Sequence, residues 1–250
     1  MRLKSLSVTA AEVTRFRTFG FVHLRGVQDD VAPAIGGAFE DVLGRSAADG
    51  RREPSGIPRV AERSEILREA LLADDRCPLL ARRLLGTDVV YAGGEGARYE
   101  GAVGWHRDGD HHQALRLVTF VQHLEPLDGS TGALRIIPGT HRRGGSWDAF
   151  AADLKDPLGR LGMEPAEVPA FTVESRPGDL VAFDPRAYHA WFGGPAVRRR
   201  ITTTYASVPE SDVARRELDD YLLGEQPGPE GSGVLRVPRT DGRNRAVRDG

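Results

Sequence analysis

Apolar positions along the chain follow two regimes, and the change falls near residue 88. Upstream, they recur at helical spacing. Thr9-Ala-Ala-Glu12 has the form of a capping box, in which hydroxyl and carboxylate satisfy the free N–H groups of a helix start. The helix it opens is expected to stop at Gly20. Phe21 to Arg25 reads as a short strand, and Asp29 or Asp30 can cap a second helix running through Phe39 and Val42. Residues 47–58 are polar with Gly and Pro, which predicts a mobile loop. Two more helical segments are expected to open at Ser64 and at Asp75, the second tolerating Pro78 in its first turn.

Beyond Asp88 the helical spacing is mostly lost. Residues 89–92, 115–124, 133–137, 180–183 and 201–206 are short β-rich runs separated by Gly, Pro and Asp. Many short strands without regular intervening helices favour a sandwich, barrel or jelly roll over a doubly wound sheet. A helical insertion is expected within residues 146–161. The tail from Gly224 is rich in Gly, Pro and Arg and is expected to lie extended on the surface or to be poorly ordered. One domain over residues 1–250 accounts for the pattern: a helical layer (1–87), a β core (88–207) and a C-terminal extension (208–250). Long loops are expected at 93–101 and 142–170 as well.

Composition narrows the functions available. At 250 residues, 40% hydrophobic and 28% charged, the chain can bury a substantial core. A net charge of −2 gives no electrostatic support for a nucleic-acid partner. No apolar run is long enough for a bilayer, and the first residues lack the apolar core of a signal peptide. The single cysteine, Cys77, lies in an apolar stretch and is expected to be buried; with no internal disulfide available, a reducing cytoplasm is the expected compartment. Only Lys4 and Lys155 among the basic residues are lysines, a bias associated with GC-rich bacterial genomes.

Candidate chemistry begins at Gly104-Trp-His-Arg-Asp-Gly109. In an extended strand, side chains at i and i+2 share a face, so His106 and Asp108 project together and Arg107 turns away. Alone, the triplet is common by chance. A second motif, Pro177 to Ala190, reads as a turn, a buried strand and a further turn that delivers His189 near the start of a short strand. Two histidines and one carboxylate occupy one side of a metal and leave positions open, as non-haem iron oxygenases require. A third motif, Val197-Arg-Arg-Arg-Ile-Thr-Thr-Thr-Tyr-Ala206, brings arginines into a β-branched strand. A guanidinium holds a carboxylate through two parallel hydrogen bonds, a geometry suited to the far end of 2-oxoglutarate.

In this order the motifs resemble the phytanoyl-CoA dioxygenase family of iron(II)/2-oxoglutarate-dependent oxygenases. Glu12 to Gly26 is similar to the family's opening helix and strand, and Gly129 to Arg142 to its Gly-x-Leu strand leading to Pro-Gly-Ser-His. The resemblance covers most of residues 8–207. It implies an α+β fold: a double-stranded β-helix (jelly-roll, cupin-like) core with an N-terminal helical layer. It also implies Fe(II) and 2-oxoglutarate as cofactors, with His106, Asp108 and His189 both catalytic and the iron ligands. Aligning Tyr205-Ala-Ser207 with the end of the family's arginine strand puts Arg198 at the co-substrate anchor, with Arg200 on the same face as the fallback; Thr131 falls where the family often places a polar residue beside the co-substrate. Two features depart from the pattern: Trp191 replaces a small or hydroxyl residue two positions after the distal histidine, and the linker to the arginine is short. Halogenating relatives replace the carboxylate with a small residue, so Asp108 argues against halogenation.

Neighbouring residues have plainer readings. His111 and His112 fit a polar turn, His23 and His123 fit satisfied structural histidines, and His141 fits support of its own turn. Asp110 suits a strand ligand less well than Asp108. Trp105 and Trp191 can line the pocket or fill core, while Arg98 and Tyr99 can reach substrate, with a loop surface as their default. The implied function is a dioxygenase using O₂ to activate a C–H bond of a small-molecule substrate, with hydroxylation, desaturation, epimerisation or oxidative cyclisation as outcomes. Tailoring of a secondary metabolite such as an antibiotic is the expected setting. Two rivals stay open on the sequence: a cupin-like metal enzyme that does not use 2-oxoglutarate, and a non-catalytic jelly-roll binding protein.

Overall fold

The computed structural model describes residues 8–48, 56–108, 114–142, 146–193 and 197–224. The expectations for Asp110, His111, His112, most of the 47–58 loop and the tail beyond 224 lie outside the described residues.

The capping box forms as its sequence dictates. Thr9 accepts the Glu12 N–H at 3.2 Å, and Glu12 returns to the Thr9 N–H at 2.7 Å, opening α1 (Ala10–Phe19), which ends at Gly20. Strand β1 (Phe21–Leu24) and helix α2 (Ala32–Ala48) follow. The two acids expected to cap α2 pair with arginines instead: Asp30 with Arg76 at 2.5 Å and Asp29 with Arg176 at 3.0 Å. Ser64 does open α3 (Glu65–Arg68), whose path widens into a π-turn over Glu69–Ala73. Helix α4 (Arg76–Leu85) starts after Asp75, but the acceptor for its first N–H is Asp74, at 2.9 Å. Cys77 is buried there, and burial pushes its thiol up to about 12, the behaviour of a core residue rather than a nucleophile.

The remaining strands are β2 (Ile57–Pro58), β3 (Val89–Gly93), β4 (Glu95–Tyr99), β5 (Val103–His106), β6 (Leu117–His123), β7 (Leu134–Ile136), β8 (Phe171–Val173), β9 (Leu180–Phe183), β10 (His189–Trp191) and β11 (Arg198–Ser207). The insertion contains α5 (Ser146–Lys155) and α6 (Pro157–Leu161), and α7 (Asp212–Gly224) follows the last strand. Two antiparallel sheets result. One runs β1-β9-β6-β11-β4-β2 with β3 also on β11; the other runs β5-β10-β7-β8. This is the jelly roll with its helical layer. Residues 93–101, expected as a loop, contain β4. Its glycines suggest a loop, yet Gly96 is there because a Cβ at that position would lie 2.5 Å from the Phe39 ring.

The large sheet has two apolar faces with different partners. Outward, Val118, Phe120, Ala182 and Tyr205 pack with Phe16, Leu80 and Leu84 of the helical layer. Inward, Val121, Val181 and Phe183 meet Leu134, Ile136, Val173 and Trp191 of the small sheet. Strand alternation makes this possible, since successive residues of β6, β9 and β11 face opposite sides. Among the described residues, no helix is long and apolar enough to cross a membrane.

Candidate metal centre

Strands β5 and β10 are antiparallel neighbours, and their register sets His106 opposite His189. The imidazole centroids lie 4.2 Å apart. Just past the end of β5 the Asp108 N–H donates to the Pro185 carbonyl at 2.8 Å, which ties the two ligand-bearing segments together. The Asp108 carboxylate then faces both rings: Oδ2 is 3.3 Å from His189 Nε2 and Oδ1 is 3.8 Å from His106 Nε2. One donor atom from each residue falls within 4.8 Å of the others, a group that could hold a metal ion.

The tautomers suit that task. His106 Nδ1–H donates to the Gly104 carbonyl at 2.7 Å, and His189 Nδ1–H to the Ala187 carbonyl at 2.9 Å. A carbonyl only accepts, so both Nε2 atoms present lone pairs to the centre. Burial and the neighbouring His189 hold His106 below its ordinary pKa. Burial works against ionisation of Asp108, but the facing imidazoles of His189 and His106 and the Arg200 guanidinium hold its carboxyl below the usual carboxylate range. Two imidazole nitrogens and a carboxylate oxygen on one side of a point are a donor set that fits iron(II). His189 is 1% exposed, whereas Asp108 is half exposed, so the centre opens to solvent on the Asp108 side.

Beneath the centre lies Trp191, fully buried, its ring 5.4 Å from His189 and 5.9 Å from His106. The indole N–H points to His123 Nε2 at 3.4 Å, and His123 Nδ1–H donates to Ser175 Oγ at 2.8 Å. Burial and the charges of Arg200 and Arg198 push His123 down to about 3, so it is neutral. His23 pairs with Asp179 at 3.0 Å, and His141 sits 3.2 Å from the Arg17 carbonyl, both in structural roles. Trp105 donates to the Pro165 carbonyl at 2.9 Å and packs on Phe192.

The arginines of β11 divide by neighbour. The outward Arg199 is held by Glu125 and Glu40. Arg198 is completely buried, stacks on Tyr99, and donates to the carbonyls of Gly193 and Gly101. Its head crosses the backbone of Gly132, where a Cβ would lie 1.6 Å from Nη1, so only glycine fits there. Arg200 lies 4.4 Å over the Trp191 ring, and its charge is felt at both His106 and Asp108. Its Nη2 holds Glu95 at 2.7 Å. The Thr131 hydroxyl closes the turn on Asp128, accepting the Asp128 N–H at 2.7 Å.

Tyr99, whose default place was a loop surface, has its ring under the Arg198 and Arg200 guanidinium groups and its hydroxyl buried, and burial pushes that hydroxyl up to about 12. The signal was present as alternation: Glu95, Ala97 and Tyr99 share one face of β4. The Tyr99 hydroxyl and the Nε atoms of Arg198 and Arg200 are buried and have no hydrogen-bond partner among the described residues. Buried donors are rarely left unpaired, so this cluster of cationic and hydroxyl donors beside the centre fits an anionic, carboxylate-bearing co-substrate.

A jelly roll with such a centre defines a class of non-haem metal oxygenase. The chain matches the phytanoyl-CoA dioxygenase (PhyH) family over residues 16–195 and belongs to it; it is an iron(II)/2-oxoglutarate-dependent dioxygenase. No curated protein matches the chain in sequence. Solved structures resemble it in fold. The non-heme alpha-ketoglutarate-dependent epimerase SnoN from nogalamycin biosynthesis is 20% identical, with 92% of this chain and 96% of that one covered and a TM-score of 0.64. The carbocyclase SnoK from the same biosynthesis is 19% identical (80% and 85% covered, TM-score 0.63). EctD from S. alaskensis, with 2-oxoglutarate and 5-hydroxyectoine, is 21% identical (83% and 79% covered, TM-score 0.65). At these identities the likeness establishes the fold. The family match removes the two rival readings, the metal enzyme without 2-oxoglutarate and the non-catalytic binder.

Proposed function

We propose that His106, Asp108 and His189 are the iron ligands, that Arg200 anchors the distal carboxylate of 2-oxoglutarate, and that the enzyme oxidises a C–H bond of a small molecule in secondary-metabolite tailoring. The observation that carries the reading is the convergence of two Nε2 lone pairs and one carboxylate on a single point. What supports Arg200 over Arg198 is position and occupancy. Arg200 lies against Trp191 beside the centre, while both terminal nitrogens of Arg198 hold backbone carbonyls. Arg198 then orients Tyr99, whose hydroxyl is the second candidate donor to the co-substrate.

Bound iron, with 2-oxoglutarate and O₂, supplies the oxidant for the C–H bond. The chain's own contribution is positioning and exclusion of water. Trp191 and Phe183 close the buried side of the ligand rings, at 5.4 and 4.7 Å from His189. The half-exposed Asp108 marks the side from which substrate enters. Hydroxylation, epimerisation and oxidative cyclisation are all open to that oxidant, the last two being the named activities of the two nogalamycin structures that share the fold.

The test is anaerobic reconstitution with Fe(II) and 2-oxoglutarate, read by the visible charge-transfer band of the chelate. Wild type should develop the band and His106→Ala should not. A band of equal strength in His106→Ala would remove the proposed ligand set.

A further inference from the structure

The ladder that holds the three ligands together is short. Strand β5 has four residues, β10 has three, and their register shifts between His189 and Trp191. So brief a pairing leaves the angle between the two segments to other contacts. One is the Asp108 N–H bond to the Pro185 carbonyl; the others converge on the turn that follows β7, Pro138-Gly139-Thr140-His141, and within it on the fully buried Thr140.

Thr140 reaches both ligand-bearing segments at once. Its Oγ1 accepts the N–H of Tyr188, the residue before His189, at 2.9 Å, and donates to the Ile137 carbonyl at 2.7 Å. A hydroxyl has one proton to give and lone pairs to receive, so the two bonds are compatible only in this sense. The Thr140 carbonyl accepts from Arg107 Nη2 at 2.9 Å, and Arg107 is the residue between His106 and Asp108. The same guanidinium lies 4.3 Å over the Tyr188 ring. The neighbouring residues of the turn then grip the end of α1: Gly139 N–H donates to the Phe19 carbonyl at 2.8 Å, and Arg142 Nη2 reaches the Arg17 carbonyl at 3.3 Å.

We propose that Thr140 is a positioning residue which, with Arg107 and Tyr188, clasps the His106–Asp108 segment against the His189 segment and so sets the metal-binding geometry. The inference rests on the proposed ligand set. It assigns a task to a residue that is not a ligand and to an arginine that alternation turns away from the centre. The requirement is for a side chain that both donates and accepts. Serine meets it; valine, of equal shape, meets neither half and leaves the Tyr188 N–H buried without a partner.

The experiment is anaerobic titration of the metal-free protein with Co(II), reading the d–d spectrum for affinity and coordination geometry, below the melting transition of each variant. Partners that orient metal ligands typically contribute about 10- to 100-fold in affinity. Thr140→Val should therefore weaken Co(II) binding by about that factor with an altered spectrum, and Thr140→Ser should restore both. A merely structural role would move the melting temperature of the metal-free protein while leaving the spectrum of the bound metal alone. Wild-type affinity and spectrum in Thr140→Val, or a Thr140→Ser variant as impaired as Thr140→Val, would overturn the proposal. If Thr140→Val does not fold, Arg107→Gln carries the test: weakened binding supports the clasp and unchanged binding rejects it. Failure of the ligand set itself reads differently, as wild type without Co(II) binding or His189→Ala binding like wild type.

Discussion

On the outer face of β11, Arg199 is held by two glutamates, Ile201 packs against the α2 layer, and the Tyr205 hydroxyl donates to the Leu71 carbonyl at 3.2 Å. On the inner face of the same strand, one residue away in each case, Arg198 and Arg200 keep buried Nε atoms without partners among the described residues and lie over the ring of Tyr99, whose hydroxyl is equally unpartnered. Both faces carry arginine, threonine and aromatic contacts, so composition does not separate them. Satisfaction of polar groups does. The outer-face groups Arg199 and Tyr205 are paired, whereas the inner face has donors in reserve beside a cluster of metal-ligating atoms. Buried donors left unpaired call for an explanation, and beside the metal-ligating cluster a bound anion supplies one.

That contrast can be broken or sharpened in four ways, the first with the largest effect. His189→Ala removes a ligand from the inner face and should abolish the Fe(II)–2-oxoglutarate band; a surviving band breaks the assignment. Arg200→Ala removes a charge-assisted anchor of about 1.5–3 kcal/mol, and calorimetric titration of the metal-loaded protein should show a 2-oxoglutarate affinity weaker by roughly 10- to 100-fold. An affinity left intact there and lost in Arg198→Ala would return the anchor to Arg198.

The third concerns acid. His123, neutral when folded, has its pKa depressed by burial and by Arg200 and Arg198 to about 3, against an unfolded value near 6.5. Below pH 6.5 the unfolded chain binds a proton that the folded chain refuses. The His123 contribution is therefore complete above 6.5 and falls by roughly 1 kcal/mol per pH unit down toward 3. Urea melts between pH 7 and pH 5 should show this loss, and His123→Asn should flatten it. An equally steep pH dependence in the variant would remove His123 as its source. Last, Tyr205→Phe on the outer face deletes one buried hydrogen bond and should cost about 1 kcal/mol in urea melts without changing 2-oxoglutarate affinity. A changed affinity would show that the two faces are coupled.

The fold was legible where one rule governs a segment. The capping box at Thr9 and Glu12, the apolar run of β9 and the β-branched half of β11 obey local rules and form as read. Strand β4 was hidden because Gly94 and Gly96 read as loop, though they serve close backbone approach to Thr202 and to Phe39. The caps expected from Asp29 and Asp30 failed because Arg176 and Arg76, distant in sequence, compete for the same carboxylates. At the centre, i, i+2 parity brought His106 and Asp108 to attention, and chain order brought His189. Parity could not choose between Arg198 and Arg200, since both lie on one face. That choice depends on which head meets Trp191 and which meets the carbonyls of Gly101 and Gly193, contacts set by tertiary packing. Thr140 carried no chemical signal in sequence, because its partners are main-chain atoms and a guanidinium more than 30 residues away.

Both histidines of the centre orient their rings through a carbonyl two residues upstream, Gly104 for His106 and Ala187 for His189. These acceptors belong to the main chain, so no side-chain substitution at those positions can delete them. The protonation state that readies the imidazoles is thus heritable with the backbone path itself. Mutational drift can remodel the mouth around Asp108 and explore new substrates while the inner orientation of the ligands stays buffered against change.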